Sequence, residues 1–230
     1  MFKSYYISAC GGACEKVFIN KFRKSSRITF LEDSEVSLKV LEGSRKKWLI
    51  EGEKIYSFTI KVHIFNLAHI YEQVISEIRS RFYEIDDMLF DYRILFAKKS
   101  FVIIGIYCVN GRNLILTDGI GLKKVKFKSI EPIQVIYNNF FRRKIKSRCY
   151  AFIFKINSYI YFLNIENNFI LNNEVINLEY DFNKDNFKLL FKNYYEEYKD
   201  QNIYVMENGF LKGPYDYMEM INKDEICIFS

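Results

Sequence analysis

Apolar and polar residues alternate or cluster in short runs along most of this chain, and the densest runs lie between Arg148 and Asp181. Cys149 to Ile156, Tyr159 to Ile165, Phe169 to Leu171 and Glu174 to Leu178 are rich in Ile, Phe, Tyr and Leu. Asn157-Ser158, Asn167-Asn168 and Asn172-Asn173 separate them. Such runs predict a β-meander, with Asn in the turns because it tolerates a positive φ. They are too continuously apolar for a sheet wetted on one face, so helices are expected on both sides.

The same reading applied from the start predicts a basic arm over residues 1–26, where Val17, Phe18 and Phe22 give little apolar surface to bury. An ordered fold is then expected from Arg27. Ile28 to Leu31 and Val36 to Leu41 form a hairpin across Glu32-Asp33-Ser34, followed by strands at Lys47 to Ile50 and Lys54 to Val62. Asn66 is the expected N-cap of a helix whose apolar positions Leu67, Ile70, Tyr71, Val74, Ile75, Ile78 and Phe82 recur at three and four.

Further strands are predicted at Tyr92 to Phe96, Phe101 to Val109 and Lys123 to Phe127, and Glu131-Pro132 opens a helix through Phe141. After the meander come a helix from Asn183 or Asp185 to Lys199, a strand at Ile203 to Met206, a turn, a short helix at Tyr215 to Ile221, and a strand at Ile226 to Phe229. The fold class is therefore α/β, with a three-stranded antiparallel start followed by β-α-β-α occurring twice, from Arg27 and from Cys149.

Composition narrows the picture modestly. The 230 residues are 50% hydrophobic and 18% aromatic, ample for a core. The net charge of +6 suits a nucleic acid, an anionic membrane surface or an acidic protein. Five cysteines, Cys10, Cys14, Cys108, Cys149 and Cys227, form no even framework and point to a reducing compartment. Cys10 and Cys14 supply only half of a zinc shell, so no metal is expected. No stretch offers the ~20 apolar residues of a membrane span, and no secretory leader is evident.

Candidate chemistry is sparse. His63 and His69 form neither a metal pair nor a catalytic dyad, and the acidic residues Glu84, Asp86, Asp87 and Asp91 lack calcium-loop spacing. Lys123, Lys124, Lys126 and Lys128, alternating with apolar residues, form one candidate surface for an anionic partner. Arg142, Arg143 and Lys144, continued by Lys146 and Arg148, form another. A nucleic-acid-binding role is the alternative these runs leave open, although the aromatic motifs of common RNA-binding folds are absent from the sequence.

The duplicated order, together with the layouts of Phe18 to Val40, Ile120 to Pro132, Lys155 to Asn157 and Val205 to Pro214, resembles the actin-like cytoplasmic assembly proteins of type IV pili and type II secretion, the PilM and GspL families. The resemblance implies an actin-like, ribonuclease H-like fold of two lobes around a cleft, residues 27–147 and 148–230. It implies a cytoplasmic scaffold peripheral to the inner membrane, docking a single-span membrane partner and a motor ATPase. Actin-like ATPases carry an Asp-x-Gly turn in each lobe, and the resemblance places these on Phe30-Leu31-Glu32 and Lys155-Ile156-Asn157. Their adenine-side glycine turn falls on Glu207-Asn208-Gly209. With both carboxylates and most glycines replaced, no nucleotide cofactor, metal or catalysis is expected, Lys155 offering one lone charge toward a phosphate.

Overall fold

A computed structural model describes residues 4–10, 13–19, 25–30, 45–63, 69–86, 88–111, 129–179, 189, 191–193, 196, 200–207 and 210–215. The described strands are β1 (Ser4–Cys10), β2 (Ala13–Ile19), β3 (Ser25–Phe30), β4 (Arg45–Ile50), β5 (Ile55–His63), β6 (Met88–Ala97), β7 (Phe101–Asn110), β8 (Ser129–Pro132), β9 (Cys149–Ile156), β10 (Tyr159–Glu166), β11 (Phe169–Asn177), β12 (Asn202–Glu207) and β13 (Phe210–Tyr215). The helices are α1 (Ile70–Arg81) and α2 (Ile133–Phe141).

The chain divides into two compact units, Met1–Glu53 with Arg112–Phe140, and Lys54–Gly111 with Phe141–Ser230. The first holds a five-stranded sheet in the order β3-β2-β1-β4-β8. β1, β2 and β3 are antiparallel neighbours, whereas β4 runs parallel to β1 and β8 parallel to β4. Ser4 to Ile19 is thus a hairpin within this sheet and not an arm, which corrects the expectation for residues 1–26. The signal was present as two seven-residue runs separated by Gly11-Gly12, the spacing of a two-residue hairpin.

The second unit holds a sheet in the order β11-β10-β9-β12-β13. Its meander β9-β10-β11 is antiparallel and β12 is parallel to β9, so the two sheets share one plan, three antiparallel strands and then a parallel strand beside the first. The predicted turns are in place: Asn157, Asn167 and Asn168 have φ of 53°, 50° and 64°. Asn172-Asn173 is not a turn, and β11 runs straight through it. Both faces of the meander are buried, as its continuous apolar runs require. Ala151, Ile153, Ile160, Phe162, Ile176, Ile203 and Val205 cluster with Phe191. Alternating with them, Phe152 and Phe154 build an aromatic layer with Tyr161 and Phe141, Phe154 stacking on Tyr161 at 4.8 Å.

Residues 54–111 belong with this second unit, a correction to the expected boundary at residue 147. They form an antiparallel sheet, β5-β7-β6, covered on one face by α1. Val74 and Ile78 of α1 are buried on Ile60, Val62, Val102, Ile104, Ile106 and Cys108, with Ile70 and Phe82 alongside. The helical period is as predicted, but Tyr71 is 57% exposed. The residue preceding the helix is His69, which makes no side-chain cap bond, and the expected cap Asn66 lies outside the described residues.

Contacts across the other face of that sheet explain the boundary. The Tyr107 ring stacks on Phe169 of β11 at 4.6 Å, and its hydroxyl accepts from Ile170 N–H at 2.9 Å and from Arg93 at 3.3 Å. Burial raises the Tyr107 pKa, Arg93 partly opposing it. A Cβ on Gly105 would lie 2.5 Å from the Phe169 ring, so only glycine admits this approach. Both prolines of the chain lie in strands that are outermost among the described residues, Pro132 at the end of β8 and Pro214 in β13, where a missing N–H breaks no central ladder. Pro132 therefore ends a strand instead of opening the helix. Residues 210–215, expected within a turn and the start of a helix, are strand.

The predicted strands at Val36 to Leu41, Lys123 to Phe127 and Ile226 to Phe229, and most of the helices at 183–199 and 215–221, lie outside the described residues.

Candidate functional site

Parallel strands of an open α/β sheet end on one side, and ligand sites of such folds gather at those carboxyl ends. In the second unit these are the ends of β9 and β12, where Met206 pairs with Phe154. One residue further along these strands come Lys155 in β9 and Glu207 in β12. Lys155 is half-buried and pairs across the hairpin with Ile160. Beyond it Asn157 takes the left-handed conformation of the turn, at φ 53°.

The turn is tied down from β11. Leu178 N–H donates to the Ser158 carbonyl at 2.7 Å, and the Ser158 hydroxyl donates to the Glu179 carboxylate. Glu179 N–H in turn donates to the Asn177 amide oxygen at 2.9 Å. Around this turn the chain carries the Lys155 ammonium, the Asn157 amide and a Ser158 hydroxyl already bonded to the Glu179 carboxylate. That chemistry suits recognition of an anion or a peptide group better than metal ligation, and among the described residues no group of three or more His, Cys, Asp or Glu side chains is placed to hold a metal ion. Ser158 and Glu179 were missed by sequence reasoning; a Ser beside the turn Asn was their only signal.

The remaining candidates are dispersed. Phe30 ends β3 opposite Cys14, so it does not lie in the first hairpin turn. The turn with the same place in the first sheet as Asn157-Ser158 has in the second falls between Cys10 and Ala13, which pair directly. The correspondence of the first Asp-x-Gly turn thus moves from residues 30–32 to residues 10–13. Glu32, Lys123, Lys124, Lys126, Lys128, Asn208 and Gly209 lie outside the described residues.

Arg142, Arg143 and Lys144 form the turn after α2, where Lys144 N–H and Ile145 N–H both donate to the Phe141 carbonyl, at 2.8 and 3.3 Å. Ile145 is buried and anchors the turn, while Arg143, Lys144, Lys146 and Arg148 are exposed. This basic turn leads into the start of β9. Arg148 accepts there from Asn167 N–H at 2.7 Å, so the turn occupies the end of the sheet opposite Lys155. The structure separates the basic surface from the turn site.

No protein-family model and no curated protein matches the chain. Among solved structures, it is similar to a PilM-PilN type IV pilus biogenesis complex, with TM-score 0.50 and 13% identity over 86% of this chain and 69% of that one. It also matches a Bacteroides thetaiotaomicron protein with an actin-like ATPase fold, at TM-score 0.46 and 8% identity over 89% of this chain and 82% of that one. A third match is the cytoplasmic domain of EpsL, an inner-membrane component of the Vibrio cholerae type II secretion system, at TM-score 0.46 and 6% identity over 82% and 74%. The chain has the actin-like fold.

Proposed function

We propose that this chain is a non-catalytic cytoplasmic scaffold of a type IV pilus or type II secretion assembly platform, held at the inner membrane by docking a single-span membrane protein. The observation that carries the reading is the likeness to the PilM-PilN complex over 86% of the chain, a fold whose solved example is bound in pilus biogenesis. The turn chemistry is compatible with it, because the one carboxylate seen at the turn of β9 and β10, that of Glu179, already accepts from the Ser158 hydroxyl. Among the described residues no helix is long and apolar enough to cross a membrane, and the scaffold would reach the bilayer through its partner.

The test is affinity purification of the tagged chain from detergent-solubilised membranes of its source bacterium. Co-purification of a single-span protein from a pilus or secretion gene cluster is expected, with the motor ATPase as a second component. Retention of nucleic acid alone, released as salt rises, would instead support the basic nucleic-acid-binding reading and overturn the scaffold.

A further inference from the structure

Among the described residues, one face of the β5-β7-β6 sheet is covered at only one end. Along β7, Val102, Ile104, Ile106 and Cys108 face α1, which leaves Phe101, Ile103, Gly105 and Tyr107 on the opposite side. Gly105 and Tyr107 meet Phe169, and the Ser57 hydroxyl donates to the Leu171 carbonyl at 2.8 Å, so this end is closed by β11. At the other end Lys61 and Phe96 both pair with Ile103, and His63 pairs with Phe101. A bulge between Ile94 and Phe96 breaks the alternation and turns Phe96 onto this face.

The result is a ledge of Phe96, Phe101 and Ile103. Phe96 is 49% exposed, and Lys61, His63, Lys98 and Lys99 are exposed around it. The Lys61 ammonium lies 4.3 Å from the Phe101 ring centre, and that of Lys98 lies 5.5 Å from Phe96 and 5.7 Å from Phe101. These lysines lay their stems over the rings and keep their charge at the rim. Neither residues 59–63 nor residues 93–103 contain an Asp or Glu, so the segments that carry these lysines bear positive charge alone, with Asp91 five residues before Phe96 on β6. Among the described residues β6 is an outermost strand of its sheet and pairs only with β7.

We infer that this ledge docks an extended acidic peptide with apolar side chains at alternate positions, added as a fourth strand on β6. Main-chain bonds to the open edge would supply affinity. Alternate apolar side chains would cover Phe96 and Ile103, while the intervening carboxylates would meet Lys61, Lys98 and Lys99. A nucleic acid fits less well, because a phosphate backbone offers only acceptors and cannot use both the donors and the acceptors of a strand edge. The inference rests on the reading of the chain as a docking scaffold and names a surface and a ligand chemistry for it.

The experiment is selection of a random short-peptide display library against the full chain. Measured affinities would follow for the selected peptides, for phosphatidylglycerol vesicles and for an oligothymidylate. Selected peptides should alternate Asp or Glu with Leu, Ile or Phe, and should bind a Lys61→Glu/Lys98→Glu variant about tenfold more weakly or worse. Both substitutions are at exposed positions, and circular dichroism would verify the fold. Peptides without acidic enrichment, peptides that bind this variant as tightly as the parent, or a ledge that serves only vesicles or the oligonucleotide would each overturn the inference. If the double variant still co-purifies its membrane partner, those results leave the scaffold reading standing.

Discussion

Asn173 is fully buried, and its side-chain amide serves Ile55 as a neighbouring strand would: Oδ1 accepts from Ile55 N–H at 3.0 Å and Nδ2 donates to the Ile55 carbonyl. It thereby satisfies two backbone groups where β5 meets β11. Asn173→Ala would strand both, at about 1–3 kcal/mol for each buried group, so its urea midpoint should fall well below that of the parent; an unchanged midpoint would show that the pairing contributes nothing. Asn164 is the converse case. It is equally buried in β10, yet neither amide atom meets a hydrogen-bond partner among the described residues. Asn164→Leu keeps the branched outline and removes the unpaired polar atoms, so its thermal midpoint should rise; a fall would mean that the amide is bonded after all. Sequence reasoning treated these asparagines by their turn preference. It placed Asn157, Asn167 and Asn168 correctly and failed at Asn173, whose role depends on a residue 118 positions away.

Elements with strong periodicity were readable from the chain alone. The three-and-four spacing of Ile70, Val74 and Ile78 located α1, and the apolar runs located β9, β10 and most of β7. β1 and β2 escaped because they are short and carry Ser, Ala and charged residues, and β13 escaped because Gly213-Pro214 has the composition of a turn. The affiliation of β5, β6 and β7 was equally hidden, since it depends on Gly105 leaving room for a ring from β11. Burial within these elements predicts alkaline sensitivity. Desolvation lifts the Tyr150 phenol from its usual 10.0 to about 12, with Arg142 opposing, and the Cys108 thiol from 9.0 to about 11. Each group stays protonated when folded but ionises more readily when unfolded. Its stabilisation is therefore complete below the unfolded value and is lost as pH rises through the folded one. Urea midpoints should decline between pH 9.0 and about 12, less steeply in Tyr150→Phe; a flat profile would contradict the burial of both groups. An alkylating agent at neutral pH should modify exposed Cys149 well before buried Cys108.

Across the whole molecule, the shared strand order of the two five-stranded sheets permits a comparison that no local motif allowed. In each sheet the first and second strands pair up to the residues that join them, Cys10 with Ala13 and Ile156 with Tyr159, with Gly11-Gly12 and Asn157-Ser158 between them in sequence. Actin-like ATPases carry an Asp at the corresponding turns, and neither turn here contains one. The first keeps two glycines, the residues that admit close phosphate approach, whereas the second keeps none. Residues 10–13 and 156–159 thus contain no carboxylate. Lys155, one residue before the end of β9, is the positive charge nearest the second turn in sequence. A ligand that binds only the native state at a hundred times its dissociation constant stabilises it by about 2.7 kcal/mol, which a thermal scan resolves readily. Millimolar ATP with magnesium should accordingly leave the unfolding midpoint where it is. A magnesium-dependent rise that vanishes in Lys155→Ala would instead show that the turn of β9 and β10 still holds a triphosphate without its carboxylate, and would replace the scaffold with a nucleotide-dependent one.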